Sequence, residues 1–451
     1  MKTLNRRDFL RTSGAAALFA ATPGLAYSQV VGGPGPFTDY RALVCVFLFG
    51  GNDSFNMLVP NTTAEYNAYA ASRQNMGLLQ SDLLPITPAS SAGPDFGLHP
   101  AMGSIQSLFQ AGNAAFVTNV GPLIEPTTKD QYFNRSVLLP PQLFSHNDQQ
   151  DQWTSLRGNV PSKTGWAGRI ADLMRSAVAG QQMATNASLF GSNLFQSADE
   201  TVAYVMGPGG PIPFEGFSNV PDTLLYEQRQ AFLRIVNASY DSIYERGFAE
   251  VQRRAIDAAD TVTAALDNAP MLNTVFPQSQ LGTQLETVAR LIAVRDDLQM
   301  QRQIFFVATG GFDSHDDQVQ NQPGLLGGVA DAVAAFYDAT AEIGMAGNVT
   351  TFTQSDFGRT LTSNGDGTDH AWGGNQLVVG GAVNGGDLYG SYPLLQINGP
   401  EDVGGGRMIP TTSADQYAAT LARWFGIPEA DLGIVAPHIG NFAQRDLGFM
   451  Q

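Results

Sequence analysis

Residues 42–49 read ALVCVFLF, a continuous apolar run that ends at Gly50-Gly51-Asn52-Asp53. A run that is apolar on both faces and is stopped by glycine predicts a strand buried in the middle of a sheet. Four further runs predict more strands of the same sheet, and they lie at 114–120, 303–309, 349–353 and 376–379.

Helical patterns lie between these runs, at 100–110, 327–343 and 413–425. Strands that alternate with helices predict the α/β class, with a doubly wound, mostly parallel sheet and helices on both faces. A longer stretch, 222–298, repeats its apolar residues at three- and four-residue steps, and we expect it to be a helical insertion. The α/β domain is therefore expected to span 41–451, after a Gly- and Pro-rich linker at 29–40.

The composition limits the class of protein. The chain has 451 residues, of which 43% are hydrophobic, and its formal net charge is −17. A chain this acidic lacks the basic footprint that nucleic acid requires, so we expect no nucleic-acid partner. A single cysteine, Cys45, excludes an internal disulfide scaffold.

The first 28 residues have the features of a twin-arginine export signal. The pair Arg6-Arg7 precedes a short apolar stretch, and small residues near Ser28 suit a cleavage site. The apolar stretch is too short to span a bilayer, so we expect no stable membrane span. The predicted location is the periplasm or the outside of the cell, with the twin-arginine translocase as a partner during export.

Three of the predicted strands end close to an aspartate, namely Asp53, Asp313 and Asp356. Because the carboxyl ends of the strands in an open α/β sheet converge on one cleft, these carboxylates would repel each other unless a cation neutralised them. His315 and His370 follow two of the aspartates in sequence. We predict that these five residues bind a divalent metal, as one or two ions; the mixed set suits Zn or Mn, and Ca is an alternative if the histidines do not ligate.

A nucleophile is predicted at Ser145, where the polar segment after the second strand starts a helix. A helix N-terminus offers N–H groups to an anionic ester, and a nearby metal would activate the hydroxyl. A role as a plain helix cap is equally compatible with the sequence. Ser54 and the pair Thr127/Thr128 are alternative nucleophiles. His146 is a further ligand, a substrate contact or a surface residue.

Six motifs occur in order along the chain and together resemble the exported family called domain of unknown function 1501. They are 49–56 (FGGNDSFN), 144–146 (FSH), 310–315 (GGFDSH), 355–360 (SDFGRT), 369–374 (DHAWGG) and the twin-arginine leader. That family is regarded as a distant relative of the alkaline-phosphatase and sulfatase superfamily, whose members act on phosphate and sulfate esters at a metal site above a doubly wound sheet.

The resemblance implies a role for each candidate residue. Ser145 takes the place of the nucleophile, and Arg359 would hold Asp356 or contact the substrate anion. The metal ligands would be the strand-end aspartates and the two histidines: Asp53, Asp313, His315, Asp356 and His370.

These expectations define two candidate functions. The first is an exported metal-dependent hydrolase of small phosphate or sulfate esters. The second is a catalytically inactive envelope protein that keeps the fold and uses the helical stretch 222–298 to bind a partner.

Overall fold

The structure is a computed structural model, and it describes residues 34–91, 93, 95–212, 218 and 220–451. The predicted export signal, 1–28, and the first residues of the predicted linker lie outside the described residues. No helix in the described part of the chain combines the length and the apolar character needed to cross a membrane.

The described strands form one large sheet and two small ones. The large sheet has nine strands in the order β13-β5-β12-β9-β1-β8-β6-β7, with β14 also paired to β5. The strands are β1 (Arg41–Leu48), β2 (Leu58–Pro60), β3 (Leu84–Ile86), β4 (Phe96–Leu98), β5 (Ala114–Gly121), β6 (Asn186–Ser188), β7 (Tyr204–Val205), β8 (Arg302–Thr309), β9 (Val349–Ser355), β10 (Arg359–Ser363), β11 (Thr368–His370), β12 (Gly374–Val379), β13 (Leu388–Tyr389) and β14 (Thr412–Ser413).

The described helices lie between these strands. They are α1 (Ser54–Met57), α2 (Thr63–Arg73), α3 (Gly103–Gln110), α4 (Lys129–Asn134), α5 (His146–Ser155), α6 (Trp166–Met174), α7 (Leu224–Val236), α8 (Ile243–Asp267), α9 (Gln280–Ala293), α10 (Gln318–Glu342), α11 (Ala414–Phe425) and α12 (Leu432–Val435).

The central strand β1 divides the apolar core into two layers, because successive side chains of a strand point to opposite faces. Val44 and Val46 pack into one layer together with α3, α9 and α10. Cys45 and Phe47 pack into the other, together with α6, α11 and α12. Helices therefore cover both faces of the sheet, as the continuous apolar run predicts.

The pairing of the strands confirms the predicted fold class. Strand β1 lies between β8 and β9 and runs parallel to both. The exception is β12, which runs antiparallel to β5 and β9. The carboxyl ends of β1, β8 and β9 consequently lie side by side at one edge of the sheet, and the chain segments that follow them build the site.

The helix prediction at 327–343 is too short, since α10 begins at Gln318. Pro323 lies inside this helix, and Gly324, Gly327 and Gly328 follow it. Proline and glycine are the poorest helix formers, so the local sequence argues against a helix there. Burial of α10 against the sheet outweighs that preference, because Leu326, Val329 and Val333 belong to the core.

The helical prediction at 222–298 corresponds to three helices of different character. Helix α9 is largely buried and belongs to the core. Helices α7 and α8 instead leave many apolar side chains exposed. The domain boundaries themselves remain a prediction.

Candidate metal centre

Two glycines after β1 allow the ends of the neighbouring strands to meet. A Cβ atom on Gly50, whose φ is +114°, would lie 2.2 Å from the backbone nitrogen of Asp313. A Cβ atom on Gly51, whose φ is +87°, would lie 2.3 Å from the ring of Phe357. Only glycine fits this backbone conformation and this spacing. The Gly-Gly pair therefore brings the segment after β8 and the segment after β9 against the end of β1.

Three histidine rings converge on one carboxylate at this edge. The Nε2 atoms of His315 and His370 lie 3.0 and 3.3 Å from Oδ1 of Asp313, and Nε2 of His146 lies 3.4 Å from its Oδ2. Ligand atoms of His146, Asp313 and His370 all lie within 4.8 Å of one another. The Nε2 atoms of His315 and His370 are 2.9 Å apart. The carboxylate is 47% exposed, so a ligand can reach the cluster from solvent.

The other nitrogen of each ring faces a hydrogen-bond acceptor. Nδ1 of His146 is 2.6 Å from Oδ2 of Asp356, and Nδ1 of His370 is 2.8 Å from the carbonyl oxygen of Phe144. Nδ1 of His315 lies 3.3 Å from Oδ1 of Asp369. Because an acceptor requires a hydrogen on the nitrogen that faces it, the neutral rings of His146 and His370 carry their hydrogen on Nδ1 and a lone pair on Nε2.

This arrangement fits a bound cation. The Nε2 lone pairs of His146 and His370 both face the carboxylate of Asp313, and these groups repel one another unless a positive charge lies between them. Histidine ligands of metals usually donate their other N–H to a carboxylate or a backbone carbonyl, as His146 and His370 do here. His146, His315, His370 and Asp313 could therefore hold a divalent metal.

The surroundings of Asp313 and His370 favour the charge state of each that metal binding requires. Burial alone would raise the pKa of Asp313, but the hydrogen bond and the charge of Arg359 outweigh it and lower the pKa. Burial also lowers the pKa of His370, which favours the neutral ring.

Arg359 is buried and contacts the cluster through Asp313. Its Nη1 donates to Oδ1 of Asp313 at 2.7 Å and to the carbonyl oxygen of Gly50 at 3.0 Å. Nη2 donates to the carbonyl oxygen of Thr368. The structure thus pairs Arg359 with Asp313 rather than with Asp356, and its side chain has no exposed surface from which to reach a substrate.

Phe144 adopts an unusual backbone conformation, with a φ of +73°. Bulky side chains rarely occupy this left-handed region, and such outliers cluster at functional sites. Here the conformation directs the Phe144 carbonyl to His370, immediately before Ser145 and His146 begin α5.

Asp356 lies behind the cluster and is fully buried. Its Oδ1 accepts from the backbone N–H of Gly50 at 3.2 Å, and its Oδ2 accepts from His146 and, at 2.8 Å, from Nε2 of Gln150. Both oxygens therefore have protein partners. The structure places Asp356 as a support for the His146 ring.

Asp53 lies apart from the histidines. Its carboxylate is buried, forms an ion pair with Arg73 and accepts from Gln318, while its carbonyl oxygen accepts from Gln322 at 3.0 Å. The guanidinium of Arg73 supplies the positive charge that the sequence argument assigns to a metal. Asp53 and Asp313 thus each have an arginine of their own, whereas Asp356 faces His146 and Gln150.

The structure separates the four candidate nucleophiles. Oγ of Ser54 is buried and accepts from the backbone N–H of Asn375 at 2.7 Å. Thr127 donates to the carbonyl oxygen of Glu125, and the side chain of Thr128 caps α4. These three hydroxyl groups hydrogen-bond to no residue of the cluster.

Ser145 is placed between two residues that contact the cluster, Phe144 and His146. It is the N-cap residue that directly precedes α5, but its side chain accepts no capping hydrogen bond. Its Oγ instead donates to Oδ2 of Asp148 at 2.6 Å. The hydroxyl group is therefore oriented by a carboxylate, which differs from a plain helix cap.

Several residues of this site are absent from the sequence prediction. Asp369 directly precedes His370 in the 369–374 motif, and this position could have indicated that Asp369 belongs to the site. Asp148 and Gln150 lie near the start of α5, close in sequence to Ser145 and His146. This proximity was a weaker signal that they belong to the site. Nothing in the sequence relates Arg73 to Asp53, because the pairing depends on the tertiary fold.

Comparison with known proteins gives one family and several distant structural neighbours. No curated protein matches the chain. Three solved structures are distantly similar to the chain. One is the PsFucS1 sulfatase from Pseudoalteromonas sp., with 10% identity, coverage of 100% of this chain and 78% of that chain, and a TM-score of 0.34. The others are the phosphonate monoester hydrolase SpPMH from Silicibacter pomeroyi (10% identity, 87% of this chain and 74% of that chain, TM-score 0.35) and Ps i-CgsB in complex with k-i-k-neocarrahexaose (11% identity, 89% and 77%, TM-score 0.36). At these TM-scores the likeness carries no conclusion about activity.

The family match covers most of the chain. Residues 40–427 match the family described as "Protein of unknown function (DUF1501)". This range contains all the residues of the histidine cluster and all the strands of the central sheet. The chain therefore belongs to the DUF1501 family.

Proposed function

We propose that this chain is a metal-dependent hydrolase of phosphate or sulfate esters, with Ser145 as the nucleophile. The observation that carries the proposal is the convergence of three histidine Nε2 atoms on Asp313, with an acceptor at every Nδ1. Such a set of donors, exposed at the carboxyl edge of a parallel sheet, is typical of a ligand-binding centre.

The ligands favour one kind of metal. Three imidazoles and one carboxylate suit Zn or Mn, whereas Ca prefers six to eight oxygen ligands. We expect a single ion, because the carboxylates of Asp53 and Asp356 are bound to other side chains of the protein. A divalent metal held by this cluster would polarise an ester oxygen and lower the pKa of a neighbouring hydroxyl group.

The protein groups around Ser145 support a role in ester cleavage. The Ser145 hydroxyl already donates to Asp148, so this carboxylate is placed to accept the proton as the hydroxyl attacks. The N–H groups at the start of α5 and the positive end of its dipole favour an anionic ester beside the hydroxyl. The buried Arg359 keeps Asp313 charged and fixed.

Metal analysis and an ester assay test this proposal together. We expect about one Zn or Mn per chain in the purified protein, and loss of that metal in Asp313→Ala. The loaded protein should hydrolyse p-nitrophenyl phosphate or p-nitrophenyl sulfate. Ser145→Ala should lose this activity but keep its metal, and Thr127→Ala should keep both. Folded protein that binds no metal, or a fully active Ser145→Ala variant, would contradict the proposal.

Export is a separate part of the proposal. The pair Arg6-Arg7 supports transport by the twin-arginine translocase to the periplasm or beyond. We expect the double change Arg6→Lys and Arg7→Lys to leave the chain in the cytoplasm. Fractionation of cells that express each form measures the location, and unchanged export of the double variant would overturn this part.

An inactive, partner-binding protein remains the second candidate function, and one observation favours it. Tyr244, Phe248 and Val251 occupy positions i, i+4 and i+7 of α8, and they are 86%, 63% and 62% exposed. Side chains at this spacing form one apolar stripe on the helix. Metal-free, folded protein without esterase activity would favour this function over the first.

A further inference from the structure

Arg407 lies against the cluster and is partly exposed. Its Nε donates to the carbonyl oxygen of His370 at 3.1 Å, and its Nη1 donates to the carbonyl oxygen of Gly404 at 3.1 Å. The guanidinium carbon is 5.2 Å from the ring centre of Phe144. Two residues that organise the metal centre, His370 and Phe144, therefore also fix the position of this guanidinium.

The charge of Arg407 has no carboxylate partner among the described residues. Its hydrogen bonds go to carbonyl oxygens. Arg73 and Arg359 differ, because each is buried and paired with an aspartate. Asp402, in the same loop, is engaged with the backbone N–H groups of Asn398, Gly404 and Gly406.

A guanidinium of this kind is suited to an oxyanion. Arginine has five N–H donors in a fixed planar fork, and two of the N–H groups of Arg407 are used by the carbonyl oxygens of His370 and Gly404. The remaining donors can form charge-assisted hydrogen bonds with phosphate or sulfate oxygens. In a chain with a net charge of −17, a small anion needs such a local positive group to offset repulsion.

We propose that Arg407 binds the anionic group of the substrate ester and so selects tetrahedral oxyanions at the histidine cluster. This inference rests on the proposed function, since it assigns the substrate contact of the same site. Arg359 cannot take this role, because its side chain is buried beneath Asp313.

The test uses inorganic phosphate and inorganic sulfate as probes, in calorimetric titrations of the Zn-loaded protein at about 0.15 M salt, where long-range charge effects are screened. We expect Arg407→Met to weaken binding of the preferred anion roughly tenfold to hundredfold, the usual effect of removing a charged hydrogen-bond donor. Arg407→Lys, which keeps the charge but not the planar fork, should lose less. Metal content should remain unchanged in both variants.

Arg246→Met is the matched control, because Arg246 is also held only by backbone carbonyl oxygens but lies on α8. It should bind the anion as the unaltered protein does. Equal anion affinity in Arg407→Met and the unaltered protein, or no anion binding by the loaded protein, would overturn the inference. If the protein takes up no metal, the proposed function is wrong. The anion affinities of Arg407→Met and the unaltered protein, measured without metal, then still decide whether Arg407 binds the anion.

Discussion

The Nε2 atoms of His315 and His370 lie 2.9 Å apart, although Nδ1 of each ring faces an acceptor of its own. Nε2 of His370 presents a lone pair because its Nδ1 faces the Phe144 carbonyl, so without a cation the two rings hydrogen-bond only if His315 carries its hydrogen on Nε2. A cation bound at this point would instead be held by the Nε2 lone pairs of both rings, with the hydrogen of His315 on Nδ1 beside Asp369. The relationship between these two histidines therefore leads to the first prediction.

Removal of metal should destabilise the protein. A ligand that binds only the folded state adds about 2.7 kcal/mol to the free energy of unfolding at a concentration 100 times its Kd. We expect dialysis against a chelator to lower Tm by several degrees and added Zn to restore it. Asp313→Ala should show no Zn-dependent gain. An equal gain in this variant would mean that Zn binds elsewhere.

The second prediction distinguishes a ligand from a residue that supports a ligand. Asp356→Asn removes the charge that fixes the His146 ring, and loss of such a partner usually costs 10- to 100-fold in metal affinity. We expect a Zn affinity about tenfold lower or more, with Zn still bound to the folded variant. Competition with a chromophoric chelator measures it, and the exposed Asp338→Asn is the control.

Asp313→Asn provides the reference for a direct ligand. Its loss of affinity should exceed that of Asp356→Asn, because Asp313 faces all three Nε2 atoms. Equal losses in the two variants would place Asp356 among the ligands, as the sequence prediction has it.

The fold was predictable because its decisive signals are local. The run 42–49 is apolar on both faces, and this alone predicts a central strand with helices on each side. The motif around Asp313 follows the end of β8, and the edge of the sheet brings such positions together. Local sequence therefore accounts for the sheet and for the position of Asp313 and His315, whereas His370 lies on β11 of the separate two-stranded sheet.

The roles of Asp53 and His146 were not predictable in this way. Arg73 comes from α2, twenty residues after Asp53, and its return to the strand end depends on how that helix packs. The direction of the His146 side chain depends on the left-handed conformation of Phe144 and on the placement of α5 against β9. Both features arise from tertiary structure, which periodicity does not describe.

The third prediction concerns the buried pair formed by Asp53 and Arg73. Removing one partner of a buried ion pair leaves an uncompensated charge, which typically costs about 3–5 kcal/mol. We expect Arg73→Met to lower the free energy of unfolding by this amount in urea titrations. The double change Arg73→Met and Asp53→Asn should recover part of the loss, since it removes both charges.

Metal analysis of the same variants tests where the ion binds. Asp53→Asn and the double variant should keep about one metal per chain, because Asp53 contacts none of the three histidines. Loss of the metal from folded Asp53→Asn protein would show that Asp53 is a ligand. The metal centre would then include Asp53 in addition to Asp313 and the three histidines.

The last prediction concerns pH and a group outside the site. Burial raises the pKa of Asp415 from 3.8 to about 7, although the backbone N–H of His438, at 2.8 Å from Oδ1, and the charge of Arg169 oppose the shift. Between about pH 4 and pH 7 the folded state therefore holds a proton that the unfolded state has released. Stability must fall as pH rises through this window, by at most about 1.4 kcal/mol per pH unit, and the loss is complete above the folded pKa.

Asp415→Asn removes the titration but can keep the acceptor for the His438 N–H. In urea titrations at pH 5 and pH 8, we expect the variant to gain stability relative to the unaltered protein as pH rises. A constant difference between the two proteins across this range would show that Asp415 stays ionised in the folded state.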